Sequence, residues 1–188
     1  MNRRHWLGVA VGVGAAAVGA AIAWRRQAAD EDPLWSLEFD QPDGGRLKMA
    51  GLRGRPLLLN FWATWCAPCI KEMPELSALD AMREHIEVIG LAYEEIDKAD
   101  MEAFLKKHPV SYPIAVVDVT DPPKSFDTPK GLPMTYLIGP DGKVAEKFLG
   151  PVDAKKLEDA IAKAGGPKPG EKAAPAEAGK GGASAGRT

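Results

Sequence analysis

The chain carries two cysteines, Cys66 and Cys69, set two residues apart in Trp65-Cys66-Ala67-Pro68-Cys69. With no third cysteine available, a stabilising disulfide framework is excluded, because a bridge across two residues closes too small a loop to staple a fold. The pair is then either two buried structural thiols or a chemical couple, and its setting favours chemistry. The pentapeptide stands where a continuous apolar run, Leu57 to Ala63, gives way to an amphipathic segment from Pro68, which is a strand-to-helix junction. Unpaired N–H groups and the macrodipole at a helix start favour negative charge, and the thiolate is the nucleophilic form of cysteine. Cys66 is thereby the candidate nucleophile. Cys69, one turn further in, is more enclosed and within reach of a disulfide. Pro68 lacks an N–H but needs none in a first turn, and it stiffens the loop. An exposed attacker, a shielded resolver and a rigid spacer make a redox couple.

Other uses of the pair are weighed against the rest of the chain. Structural zinc needs about four ligands, and there is no second Cys-x-x-Cys. His5 lies in the N-terminal leader, while His85 and His108 fall at expected helix C-termini, where cations suit the dipole. Copper(I) held by the two thiolates is an alternative from a different class. Glu94 and Glu95 follow a strand and read as a solvated loop without a role. The net charge of -2 gives no electrostatic support for a nucleic-acid partner.

The elements that must position the pair follow from hydrophobic periodicity. Leu34 to Phe39 and Arg46 to Met49 alternate like half-buried strands about the turn Pro42-Asp43-Gly44-Gly45. Leu57 to Ala63 reads as a central strand covered on both faces. From Pro68 to Arg83, Ile70, Met73, Leu76, Leu79 and Met82 recur at three-residue spacing, an amphipathic helix that Pro74 should kink. Ile86 to Ala92 is the next buried strand. Asp97 can cap a helix running to Lys107, with Met101, Phe104 and Leu105 inward. Strands are expected over Ile114 to Val117, Met134 to Ile138 and Lys143 to Leu149, the last two joined by Gly139-Pro140-Asp141-Gly142. Asp153 caps a closing helix with Leu157 and Ile161 inward, ended by Gly165. This order calls for an α/β fold with a mixed central sheet and helices on both faces. Trp62 is expected in the core, and Trp65 beside Cys66 on the contact surface.

The ends have different compositions. Residues 1–26 hold an uncharged run, Trp6 to Trp24, between Arg3-Arg4 and Arg25-Arg26. Nineteen residues make a helix of about 28 Å, close to a bilayer core, so the segment reads as a membrane anchor. With Ala21-Ile22-Ala23 as an A-x-A-like site, it also reads as a cleaved export signal. Either way export into a bacterial cell envelope is expected: on the periplasmic face of the inner membrane if the segment is a single-pass anchor, or in the periplasm if it is cleaved. Residues 27–33 form a linker, and 34–164 the globular domain. In residues 165–188, sixteen of twenty-four are Gly, Ala or Pro, which cannot bury enough surface to offset ordering entropy, so a disordered tail is expected.

Asn60 to Cys69, followed by Glu72-Met73-Pro74, resembles the thioredoxin superfamily, and within it the membrane-anchored TlpA/ResA-like branch. Gly131 to Ile138, with Pro140-Asp141-Gly142, is similar to that family's cis-proline loop and following hairpin. The resemblance implies a thioredoxin-like fold and thiol–disulfide oxidoreductase activity, with no cofactor beyond the redox-active disulfide Cys66–Cys69 and no metal. It implies a cis Leu132–Pro133 bond and a Pro133 packed beside the sulfurs. Substrate contact is implied at Trp65, Ala67, Pro68, Leu132 and Pro133, the Leu132 backbone pairing with an extended substrate segment. Its implied partners are exported proteins with cysteine pairs, such as apocytochromes or copper-site oxidase subunits, and a membrane thiol reductant. A disulfide-donating oxidase is the nearer alternative. Two positions depart from relatives. Asn60 stands where cytoplasmic thioredoxins carry a buried aspartate, so the proton on Cys69 must be managed elsewhere, and Glu72 is the candidate. Met134 stands where cytochrome-maturation thioredoxins usually show glutamate, which counts against dedication to cytochrome c biogenesis.

Overall fold

A computed structural model describes residues 33–82, 86–164 and 166. The expected anchor or signal, the linker up to residue 32, His5, His85, Gly165 and the tail from residue 167 lie outside the described residues. Among the described residues no helix is long and apolar enough to cross a membrane.

Seven strands form one sheet: β1 (Glu38–Asp40), β2 (Arg46–Lys48), β3 (Leu57–Trp62), β4 (Glu87–Ala92), β5 (Ile114–Val116), β6 (Met134–Ile138) and β7 (Val144–Leu149). Their order is β2-β1-β5-β4-β3-β6-β7. β3, β4 and β5 are parallel neighbours, while β6 and β7 on one side and β1 and β2 on the other are antiparallel. The sheet is mixed, as expected. Among the described residues three α-helices accompany it: α1 (Ala67–Met82), α2 (Lys98–Lys107) and α3 (Ala154–Lys163).

All six residues of β3 are buried, and their alternation divides the core in two. Leu58 and Trp62 join Val88, Ala92, Ile114 and Leu137 on one face. Leu57, Leu59 and Phe61 join Ile89, Leu91, Ala115 and Tyr136 on the other. This is the two-residue period of a strand covered on both sides.

The expectation of helices on both faces needs correction. The buried residues of α1 (Met73, Leu76, Leu79), α2 (Met101) and α3 (Leu157, Ala160, Ile161) all pack into the Trp62 face. The crossovers β3–α1–β4 and β4–α2–β5 step the same way across the sheet, and right-handed connections then put both helices on one side. The opposite face is closed by Leu34, Trp35, Phe39 and Met49 from the N-terminal segment.

Three local expectations also change. Leu34 to Phe39 is not one strand: Pro33–Ser36 is a 3₁₀ turn, with Leu37 N–H on the Leu34 carbonyl at 3.2 Å, and the strand starts at Glu38. A helical turn lets the adjacent Leu34 and Trp35 both enter the same core cluster, whereas neighbours on a strand point to opposite faces. In α1 the stripe expected from Ile70 to Met82 is buried only at Met73, Leu76 and Leu79, and Met82 is exposed. Each three-residue step falls about 60° short of a full turn, so five such positions wrap most of the way round the helix. Asp97 precedes α2 but makes no side-chain cap bond, whereas Asp153 Oδ1 accepts the Lys156 N–H at 2.7 Å. Pro74 lies inside α1, which continues through it. In the β6–β7 hairpin, Gly142 adopts φ +83° with the Trp35 ring against it, a position only glycine fills without strain.

Candidate active site

The turn from β3 into α1 delivers the two cysteines. Cys66 N–H closes it on the Ala63 carbonyl at 3.1 Å, and the Cys66 carbonyl accepts the Ile70 N–H at 3.1 Å. Cys66 therefore sits immediately before the first helical residue, Ala67. Its Sγ accepts the Cys69 backbone N–H at 3.3 Å, one of the free donors of the first turn. A disulfide joins Cys66 to Cys69, with the Cα atoms 5.3 Å apart. The expected contrast between an exposed and a shielded sulfur is smaller than the sequence suggests: Cys66 is 5% exposed and Cys69 is fully enclosed. The bridge draws Cys66 toward its buried partner, and what faces solvent is the collar of Trp65, Ala67 and Pro68.

Glu72 is no surface carboxylate. It is 3% exposed, its Oε1 accepts the Asn60 side-chain amide at 2.8 Å, and its Oε2 accepts the Val152 N–H at 3.0 Å. Burial pushes its carboxyl above the ordinary value, the bonds from Val152 and Asn60 draw it part of the way back, and the charge of Glu75 adds to the rise. Asn60 Nδ2 also donates to Thr135 Oγ1 at 2.9 Å, its partner across the β3–β6 register. Asn60, Thr135 and the Val152 N–H form a polar frame that sequence reasoning did not assemble. The available signal was a lone asparagine in an apolar strand, which needs a partner once buried.

The Leu132–Pro133 peptide is cis. Pro133 is buried, and its carbonyl accepts the Gly150 N–H at 2.9 Å. Since Phe61 pairs with Met134, Pro133 lies at the sheet end where β3 gives way to the Cys66 turn. Beside it a groove of about 620 Å³ is lined by Trp65, Tyr93, Glu94, Glu95, Lys130 and Leu132 among others. Trp65 is 70% exposed and Trp62 is fully enclosed, in line with their expected positions.

Glu94 corrects the reading of a solvated loop. Its two carboxylate oxygens accept the Thr64 N–H at 2.6 Å and the Thr64 hydroxyl at 3.0 Å. His108 ends α2 with its ring 4.6 Å from that of Phe104. Among the described residues no group of three or more His, Cys, Asp or Glu could hold a metal ion.

A profile of the AhpC/TSA family matches residues 29–148, well over half of the chain. The thiol-disulfide oxidoreductase ResA of Bacillus cereus is 33% identical over 123 residues, covering 64% of this chain and 70% of that protein. The thiol:disulfide interchange protein DsbE of Pseudomonas aeruginosa is 33% identical over 131 residues, covering 69% and 71%. Among solved structures, a secreted Mycobacterium tuberculosis disulfide oxidoreductase homologous to E. coli DsbE superposes with a TM-score of 0.61 at 21% identity, covering 71% of this chain and 98% of that one. A thioredoxin family thiol:disulfide interchange protein from Chlorobium tepidum gives 0.61 at 23%, covering 70% and 94%. These two establish a shared fold. The chain belongs to the AhpC/TSA family of thioredoxin-superfamily domains and is a thiol–disulfide oxidoreductase similar to ResA and DsbE.

Proposed function

We propose that this oxidoreductase reduces disulfides in exported proteins, with Cys66 as nucleophile and Cys69 as resolver. The observation that carries the reading is the seat of Cys66: its sulfur faces the first turn of α1 and accepts the Cys69 N–H, so a thiolate formed there gains a donor and the helix dipole. In the reduced enzyme the Cys66 thiolate attacks one sulfur of a substrate disulfide, forming a mixed disulfide and releasing the other sulfur as thiolate. Cys69 then attacks Cys66 Sγ, restores the Cys66–Cys69 bridge and releases the second substrate thiolate. Two electrons pass from the dithiol to the substrate, whose thiolates take up protons from solvent.

Cys69 must lose its proton to resolve the intermediate, and Glu72 is the proposed acceptor, directly or through one water. Its burial and raised affinity for protons support that role. The exposed Trp65, Ala67 and Pro68, together with Leu132 and Pro133 at the sheet end, supply the contact surface. Residues 1–26 carry the domain out of the cytoplasm as anchor or cleaved signal, and a membrane dithiol reductant restores the enzyme in an oxidising compartment.

Trapping tests the assignment. Cys69→Ser should retain partner proteins on Cys66 as mixed disulfides that dithiothreitol releases, and Cys66→Ser should retain none. Equal retention by both variants, or none by either, overturns the reading. Direction is set by the reduction potential: a value near -270 mV, as in thioredoxin, supports a reductase, and one near -120 mV supports a disulfide donor.

A further inference from the structure

The turn that presents Cys66 is held from outside by Glu94. Thr64 lies inside the hydrogen-bonded turn between Ala63 and Cys66, and both carboxylate oxygens of Glu94 are engaged on it, one on the N–H at 2.6 Å and one on the hydroxyl at 3.0 Å. One residue before Glu94, the Tyr93 N–H bonds the carbonyl of Trp62, the last residue of β3, at 2.8 Å. Three bonds thus join Tyr93 and Glu94 of the loop after β4 to Trp62 and Thr64 of the segment leading into the redox turn. This is a bidentate, charge-assisted clamp, stronger and more directional than a neutral contact.

The clamp has an electrostatic consequence. A carboxylate bonded to Thr64, two residues before Cys66, lies within about 10 Å of the nucleophile's backbone, comparable to the screening length of about 8 Å at physiological salt. Like charges disfavour one another's ionised forms. Reduced enzyme carries the Cys66 thiolate and experiences that repulsion, whereas the neutral disulfide does not. The helix start draws the couple toward the dithiol, and a fixed carboxylate at the same turn draws it back. Charged groups near the clamp are Glu95 and Lys130 on the groove wall, Asp97, Asp100, Lys107 and Asp118 in the cavity that Thr64 and Glu94 also line, and Glu72 within α1. The two lysines oppose the effect and the carboxylates add to it.

We propose that Glu94 is a positioning residue that also sets the potential of the couple: it clamps Thr64 to fix the turn and, by repelling the Cys66 thiolate, keeps the pair reducing. This rests on Cys66–Cys69 being the working couple.

The test uses the full chain and its Glu94→Gln and Glu94→Asp variants, equilibrated in glutathione redox buffers, with iodoacetamide alkylation of Cys66 followed across pH. Glu94→Gln keeps the shape and removes the charge. It should move the exchange equilibrium about threefold toward the dithiol, about 15 mV less negative, and shift the alkylation profile about half a pH unit lower. Glu94→Asp keeps the charge and should remain near the wild-type values. Unchanged potential and alkylation in Glu94→Gln, or the same shift in Glu94→Asp, overturns the proposal. A wild-type chain that exchanges nothing with glutathione removes the redox reading itself, before Glu94 is at issue.

Discussion

Asn60 donates its side-chain amide to Glu72 Oε1 at 2.8 Å, and the same nitrogen reaches Thr135 Oγ1 at 2.9 Å. The amide is suited to the site because it brings donors to a carboxylate that burial would otherwise strand. An aspartate at position 60 would set two carboxylates against each other across that contact. Asn60→Asp should therefore destabilise the fold by about 2–4 kcal/mol at pH 8, with much of the loss recovered at pH 5 as the pair shares a proton. Urea unfolding at the two pH values measures it. A cost independent of pH would show that the two residues do not titrate against each other.

Glu72 also gives the fold a pH dependence of unusual sign. Its folded-state affinity for protons is raised, so the ionised form is the one that folding disfavours. Its contribution is most favourable below the unfolded carboxylate value of about 4.3. It declines as pH rises through the window up to the raised folded value and is constant above it. Glu72→Gln should lose this slope. It should also cost about 1–3 kcal/mol, because the amide nitrogen that replaces one carboxylate oxygen leaves either the Asn60 amide or the Val152 N–H without its acceptor. In stopped-flow mixing, resolution of a preformed mixed disulfide should slow and lose its inflection with pH. Resolution kinetics identical to wild type across pH would take Glu72 out of the mechanism.

Trp65 stands out from the surface beside the redox turn with 70% of its area exposed. Removing it should therefore leave stability within about 0.5 kcal/mol of wild type. Trp65→Ala should instead raise KM for a disulfide-containing polypeptide more than it lowers kcat, because a rigid aromatic supplies uniform binding surface. A large drop in melting temperature would mean that the ring is structural after all.

Two aspartates precede helices in similar sequence settings but differ in geometry. Asp153 accepts the Lys156 N–H at the start of α3, while Asp97 makes no such bond at the start of α2. Asp153→Ala should cost about 1 kcal/mol and Asp97→Ala only a few tenths. Equal losses in chemical denaturation would contradict the capping difference.

Gly90 in the centre of β4 has no room for a side chain. A Cβ there would meet Ile114 Cδ1 at 2.5 Å, with Trp62 Nε1 and Tyr112 Cε2 at 3.0 Å. Gly90→Ala should destabilise by about 1–3 kcal/mol through overpacking. Stability at or above wild type would show that the surrounding rings can move aside.

The sequence by itself determined where the chemistry sits. Two cysteines one helical turn apart, a proline between them and an apolar strand before them define a helix-start redox pair through local geometry alone, and β3, α1 and the β6–β7 hairpin follow from periodicity and turn residues. These are short-range properties, governed by the 3.6- and 2-residue repeats and by the backbone freedom of glycine and proline. What the tertiary structure decided is everything that depends on residues brought together from distant parts of the chain. Glu72, a candidate for handling the Cys69 proton, became an enclosed group with Asn60, Thr135 and Val152 around it. The handedness of two successive crossovers put α1 and α2 on one face, and α3 packs onto the same face. The loop after β4 folded back so that Glu94 grips Thr64, 30 residues away in sequence. Side-chain type shows that a carboxylate can accept hydrogen bonds, but only the assembled fold brings donors from across the chain within reach of it.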